Sequence, residues 1–342
     1  MYQTQYNQSH PSNLMNVLVT GATGFTGGHL AIALRRRGHA VRALVRPRSL
    51  AKAGALEREG IEIAPGDLLD AESVRRATAN VEVVYHIAAT YREAGQPPSG
   101  YIAVNIDGTR HVLEAARAAV VRRVVHCSTA GVHGHVERPP ANEDAPLAPG
   151  DQYQRTKLEA EQLAREFGRQ HHLDVVVARP VGIYGAGDTR FLKMFRGIAR
   201  GYFPMLGPGK VFYHVTHVDD VVEGLRLCGE TDAAAGRTYL LAGPRYTTLA
   251  DLVSTIAREL NVKPPRVHLP IWPVWLAGAL CEAVCVPLRL EPPLYRRRVD
   301  FYRKSRAFDT TRARQELGWT PAVDLETGIR RTIAWYHEQG WL

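Results

Sequence analysis

Cysteine is scarce: Cys127, Cys228, Cys281 and Cys285 are the four in 342 residues, and no two form a C-x-x-C pair. Cys281 and Cys285 stand one helical turn apart in an apolar stretch, so they are read as free buried thiols and no metal site is expected. That usage points to a reducing, cytoplasmic compartment. Long apolar runs are also missing. The longest, Trp272 to Leu288, is interrupted by Glu282 and Pro287 and is too short to span a bilayer, although it leaves peripheral contact with a membrane surface open. The opening MYQTQYNQSHPSNL lacks the apolar segment of a signal peptide, so residues 1–14 are read as a disordered tail before the first strand. Nothing resembles a nucleic-acid-binding motif, which removes that class of partner. Acids are outnumbered, 34 against 43 Lys plus Arg, for a net charge of +9. The excess is local: Arg289 to Arg306 holds seven basic residues and two acids. A solvated basic face, an anionic substrate group and an acidic membrane surface are the three readings of that run.

What is present is an alternation of short β-branched runs with amphipathic stretches over the first 180 residues. Strands are expected at Asn16–Thr20, Ala40–Val45, Ile61–Ala64, Val81–His86, Arg123–Cys127 and Asp174–Arg179. Helices are expected between them, among them Gly28–Arg37, Ala71–Ala79, Ile106–Ala119 and Gln152–Gln170. Strands that are apolar throughout and alternate with helices predict an α/β fold, a Rossmann-type doubly wound parallel sheet covered on both faces. Beyond residue 180 Pro and Gly become frequent. The expected division is a dinucleotide-binding domain over 15–180 plus about 214–240, and a smaller substrate-binding domain over about 181–213 plus 241–342.

The first strand runs into Gly21-Ala-Thr-Gly24-Phe25-Thr26-Gly27 and then a helix. Gly21 allows a tight turn, Gly24 lets backbone approach a diphosphate, and Gly27 lets the helix pack closely. The helix N-terminus presents free N–H groups to the anion. After the second strand an acid would bind ribose hydroxyls, but the chain reads Val45-Arg46-Pro47-Arg48. Arg46 suits a 2′-phosphate, so NADP(H) is favoured over NAD(H); stacking of Arg46 on adenine would serve either.

Tyr153 and Lys157 share one face near the start of a helix. A tyrosine that acts as a base near neutrality must lose about three pKa units, roughly 4 kcal/mol of stabilisation of its phenolate. Lys157 and an oxidised nicotinamide are the sources of positive charge. Strand five ends in Ser128-Thr129, whose hydroxyls face the crevice where ligands bind in such sheets. Thr129 is read as the group that orients a substrate oxygen, and Ser128 as either its helper or a backbone cap. His133 and His135 stand close enough in sequence to touch substrate, with solvent-facing loop positions as the alternative. The Pro139–Pro149 stretch is read as a loop over the crevice.

Together these residues resemble the extended short-chain dehydrogenase/reductase superfamily, in its NAD-dependent epimerase/dehydratase and 3β-hydroxysteroid dehydrogenase-like branch. Further matching stretches are Gly66-Asp67-Leu68, His86-Ile-Ala88-Ala89, Cys127 to Gly134, Arg179-Pro180, Ile183-Tyr-Gly185, His217-Val-Asp-Asp220 and Leu317-Gly-Trp319. The resemblance implies that Asp67 and Leu68 flank adenine, that Ala88 and Ala89 line the ribose side, and that Pro180 and Ile183 border the nicotinamide. It also implies Tyr153 as acid/base, Lys157 as its activator, Thr129 as the hydroxyl partner, and a homodimer. Ala130 and Gly131 occupy the places where dehydratases of the family carry Asp-Glu, which argues against that elimination. The expected activity is an oxidoreductase interconverting a secondary alcohol and a ketone on a small, apolar, sterol-like molecule, with Trp272, Trp275 and Leu276 suited to it. A nucleotide-sugar 4-epimerase using the Arg296, Arg297, Arg298 cluster for phosphates is the alternative, and a non-catalytic cofactor-sensing regulator the remoter one.

Overall fold

The computed structural model describes residues 14–91, 97–265, 267–285, 287–288, 290 and 296–342; the expected tail, Leu14 apart, lies outside them. Strands β1 (Asn16–Thr20), β2 (Ala40–Val45) and β5 (Arg123–Cys127) fall where the β-branched runs predict. Strands β3 (Glu62–Pro65), β4 (Val83–His86) and β6 (Asp174–Pro180) shift by one or two residues. A seventh strand, Thr238–Leu241, pairs with β6. Four residues set among other apolar segments give too short a period to stand out in sequence. Across the sheet the order is seventh strand, β6, β5, β4, β1, β2, β3, and every pairing is parallel.

Strand parity sorts the core into two layers. Val17 and Val19 of β1 pack with Leu30, Ala31 and Leu34 of helix α1 (Phe25–Arg36) and with Val221 and Leu225 of the Val218–Glu230 helix. Leu18, between them, faces Val112, Leu113 and Ala164 on the opposite side. Each such side chain contributes roughly 1.5–3 kcal/mol by leaving water. Because both faces are covered, the strands need no polar side, which is why they read as unbroken apolar runs.

After β6 the chain forms a short strand, Gly182–Tyr184, which pairs in parallel with Val215–His217. The following helix then packs on α1. A third apolar cluster gathers Phe195, Ile198, Leu252, Ile256 and Tyr336 from three helices of the C-terminal half. The buried Asp220 ties the end of the chain to the sheet: its carboxylate accepts from Ala322 N at 2.8 Å and Val323 N at 3.2 Å. Trp319 Nε1 donates to the Asp220 carbonyl at 2.9 Å, so two stretches read separately in sequence form one contact. The sheet reverses at β1, with β2 on one side and β4 on the other, and this opens a crevice at the carboxyl ends of those strands.

Candidate active site

The glycine turn fills that crevice's floor. Helix α1 starts at Phe25, three residues before the expected Gly28, with Gly24 as an extended N-cap. Gly27 therefore sits inside the first helical turn, and a Cβ there would lie 2.3 Å from Gly21 O. Gly21 itself has φ +76°, and a Cβ would meet the Ala88 backbone at 2.8 Å. Neither position accepts a side chain. The first turn of α1 holds no acid, so its free N–H groups and positive end face the crevice unopposed.

Behind the turn runs a directed hydrogen-bond chain. Ala88 N donates to Thr20 Oγ1 at 3.2 Å, and Thr20 Oγ1 lies 2.8 Å from His86 Nδ1. His86 Nε2 lies 3.0 Å from Thr109 Oγ1, which donates to Asn105 O at 2.7 Å. Since Thr109 spends its proton on Asn105, His86 carries its hydrogen on Nε2. Burial, then the Lys157 charge, push the His86 pKa down to about 3, so the ring is neutral. The backbone around Asn105 forms a widened π-type turn over Ala103–Asp107, ahead of the regular helix Gly108–Ala118. There the Asn105 carboxamide accepts from Thr90 N at 2.8 Å and donates to Thr156 Oγ1 at 3.0 Å, linking the β4 loop to the helix that holds Tyr153.

That helix, Gln152–His171, is fixed at its start by a reciprocal cap: Asp151 accepts from Gln154 N at 2.8 Å, and Gln154 Oε1 accepts from Gly150 N at 2.7 Å. Tyr153 and Lys157 thereby come onto the cleft, with the Tyr91 ring edge-on to Tyr153 at 4.8 Å. Lys157 is fully buried and its Nζ has no hydrogen-bond partner among the described residues. Burial depresses its pKa below that of an ordinary lysine. Ser128 Oγ is likewise buried and without a partner. The helix is locked to β6 by Arg179, which donates to Glu161 at 3.0 and 2.5 Å, to Glu143 O at 2.9 Å and to His133 Nε2 at 3.1 Å.

The cleft has a volume of about 1060 Å³. It brings together Gly21, Gly24, Phe25, Thr26, Gly27, Arg46, Asp67, Leu68, Ala88, Ala89, Ser128, Thr129, Tyr153, Lys157, Pro180 and Ile183. The same cavity is lined by residues the sequence reading passes over. Ser49 and Lys52 follow Arg46 on a short 3₁₀ turn, and Phe191, Met194, Phe203, Tyr213, Phe301 and Phe308 form an aromatic and apolar end. The spacing of Arg46, Ser49 and Lys52, three residues apart on one short turn, was a usable signal; the aromatic end was not, because it gathers from separate segments of the chain.

Several expectations are corrected. His133 does not reach the cleft: it is buried against Phe308, its other nitrogen lies 3.2 Å from Pro146 O, and burial beside Arg179 lowers its pKa to about 4. His135 is exposed, accepts from Ser305 N at 3.0 Å and does not line the cleft either. The backbone-capping role considered for Ser128 belongs to Thr129, whose Oγ1 accepts from Gly131 N at 3.0 Å. None of Pro139–Pro149 lines the cleft; Ala141 instead bonds to Ala307 and bridges to Phe308. Trp272, Trp275 and Leu276 face outward rather than into the cavity. The side chains of Arg297 and Arg298 lie outside the described residues, whereas Lys304 and Arg306 do line the cleft. Cys127 and Cys228 are buried, but Cys281 and Cys285 are only half-buried. Among the described residues no group of His, Cys, Asp and Glu is placed to hold a metal, and no helix is long and apolar enough to cross a membrane.

Residues 17–242 match the model of the NAD dependent epimerase/dehydratase family. The chain is 32% identical to Sterol demethylase protein B of Methylococcus capsulatus, over 96% of this chain and all of that protein. It is 31% identical to 2-alkyl-3-oxoalkanoate reductase of Stenotrophomonas maltophilia, over 94% and 99% of the two chains. It is 29% identical to UDP-glucuronate 4-epimerase 5 of Arabidopsis thaliana, over 94% and 75%. Among solved structures, the crystal structure of gox2253 superposes with a TM-score of 0.82 at 29% identity, over 96% of this chain and 100% of that one. With the parallel sheet, the glycine turn and the Tyr153/Lys157 helix in place, the chain belongs to the NAD-dependent epimerase/dehydratase family of extended short-chain dehydrogenases/reductases and is an NAD(P)-dependent enzyme.

Proposed function

We propose that the enzyme interconverts a secondary alcohol and a ketone on an apolar substrate, with NADP(H) preferred over NAD(H). The observation that carries this reading is Lys157 Nζ, buried without a partner one helical turn from Tyr153, on the cavity that the glycine turn also lines. An unpartnered buried ammonium costs several kcal/mol, and ribose hydroxyls of a dinucleotide would satisfy it. Gly21 and Gly27, with no room for a Cβ, fit the close approach of a diphosphate to backbone. When bound, the nicotinamide gives or takes the hydride.

The chain's own residues handle the proton. Tyr153 exchanges it with the substrate oxygen, and the Lys157 charge supplies much of the roughly 4 kcal/mol that brings a phenol near neutrality. Thr129 uses a lone pair on Gly131 N, which leaves its hydroxyl hydrogen to donate to the same oxygen. Ser128, unpartnered beside it, offers a second donor. The aromatic end of the cleft supports an apolar substrate, and two relatives at 32% and 31% identity carry a sterol and an alkyl-oxoalkanoate in their names. Arg46, Ser49 and Lys52, with no acid at the end of β2, support recognition of a 2′-phosphate. A homodimer through helices of the dinucleotide-binding region, and the domain division expected from sequence, belong to the same proposal.

Lys193, Lys304 and Arg306 on the cleft favour one second reading, a nucleotide-sugar 4-epimerase whose substrate carries a diphosphate. Mass spectrometry of small molecules released from the purified enzyme separates the two, since an epimerase retains oxidised cofactor through turnover. The mechanism is tested by Tyr153→Phe, which is expected to cut kcat by about a thousandfold with cofactor affinity unchanged. Turnover that survives this change while cofactor still binds would overturn it. Lys157→Met is expected to move the low-pH limb of the oxidation pH profile to higher pH, because the phenol loses its neighbouring cation.

A further inference from the structure

Residues 185–191, GAGDTRF, join the Gly182–Tyr184 strand to the helix that starts at Leu192. Three contacts fix this segment. Asp188 N donates to Gly185 O at 3.1 Å, Tyr336 Oη donates to Asp188 O at 2.7 Å, and His29 Nε2 lies 2.9 Å from Ala186 O. His29 stands one turn after Phe25 on α1, so the segment is tied to the helix whose positive end faces the crevice. The fully buried Asp188 carboxylate accepts from Phe191 N at 3.1 Å, Arg190 N at 3.2 Å and Arg190 Nε at 2.8 Å. Arg190 Nη2 donates to Ile183 O at 2.6 Å. These bonds hold the guanidinium on the cleft wall, and Nη1 has no acceptor among the described residues. The guanidinium carbon lies 5.2 Å from the Phe25 ring centroid and 5.8 Å from that of Tyr91, whose ring in turn meets Tyr153 at 4.8 Å.

We propose that Arg190 is a cofactor-binding residue whose free Nη1–H donates to the diphosphate of the bound dinucleotide. The glycine turn offers that group backbone N–H donors and the end of α1, which is worth about half a positive charge. A diphosphate carries two negative charges, so the turn leaves most of the charge unmatched. Arg190 supplies a whole positive charge beside Phe25, the first residue of α1, and its planar fork suits phosphate oxygens. Asp188 does not cancel it: that carboxylate is buried, and two of its three bonds go to backbone N–H groups. Because the side chain is already held by Asp188 and Ile183, little ordering remains to oppose binding. NADPH and NADH share the diphosphate, so Arg190 sets affinity without setting choice, the reverse of the role proposed for Arg46. The inference rests on the NAD(P) dependence of the enzyme and on neither reading of its substrate.

Calorimetric titration of the full-length protein with NADPH and with NADH, at low and high salt, tests it. Arg190→Met is expected to raise Kd for both cofactors by the same factor, about tenfold. The rise of Kd with salt should also be shallower in the variant than in the wild type, since one charge contact is gone. Unchanged Kd values would overturn the proposal. Weakening of NADPH alone would assign Arg190 to the 2′-phosphate instead, and equal weakening with an unaltered salt dependence would reduce it to a brace for the Phe25 ring; either result overturns it. If the variant fails to fold, a crystal structure of the wild type with NADPH decides: an Arg190 nitrogen is expected within about 3.5 Å of a diphosphate oxygen. A guanidinium beyond hydrogen-bond reach of both phosphates would overturn the proposal. Failure of the wild type to bind either cofactor would instead count against the dinucleotide site as a whole.

Discussion

At the scale of single residues, chemistry follows from burial. A tyrosine and a lysine four apart occur on many helices, and what separates this pair is that Lys157 has lost both water and partners. Arg46 is the opposite case: it is exposed at the end of β2 and acts, in the proposal, only when a 2′-phosphate arrives. A charge-assisted pair of that kind is worth about 1.5–3 kcal/mol. Arg46→Asp is therefore expected to lower the NADPH-to-NADH preference in kcat/KM by at least about tenfold. An unchanged ratio would remove Arg46 from cofactor choice and shift attention to Lys52.

At the scale of elements, the Gln152–His171 helix is held at both its start and its middle. The Asp151/Gln154 cap sets where it begins, and the Arg179–Glu161 pair sets how it lies on β6. Both members of that pair are buried, at 2% and 1% exposure. Losing one partner of a buried ion pair costs about 3–5 kcal/mol, mostly through the charge left behind. Arg179→Met is expected to destabilise the protein by that amount in urea unfolding. Adding Glu161→Leu should recover only part of it, because Glu143 O and His133 Nε2 also lose their donor. Arg179 was legible as part of a family stretch; its role as a brace was not, since Glu161 and Glu143 come from other parts of the chain.

At the scale of the molecule, four buried histidines make stability depend on pH. His86 is held down to about 3, His133 and His214 to about 4, and His126 well below the ordinary imidazole range, each chiefly by burial. Their unfolded pKa is near 6.5, so between pH 6.5 and about 4 the unfolded chain takes up protons that the folded chain refuses. The stabilisation is complete above that window and is lost as pH falls, by up to about 1.4 kcal/mol per pH unit for each histidine. Urea unfolding between pH 7 and pH 5 should show that slope, and His133→Gln should remove about one proton from it. A flat profile would mean that these rings do not stay neutral in the fold.

Local sequence settled the order and most boundaries of the parallel strands, because a sheet covered on both faces demands unbroken apolar runs. It also settled the glycine turn, because a tight approach of backbone tolerates no Cβ, and the Tyr153/Lys157 spacing, because the helical period is fixed. Only the tertiary structure gathered the aromatic end of the cleft, kept His133 out of it and gave the capping role to Thr129 rather than Ser128. It also turned Trp272 and Leu276 outward. These depend on segments far apart in the chain meeting in space, and hydrophobic periodicity says which face of an element is buried but not against what.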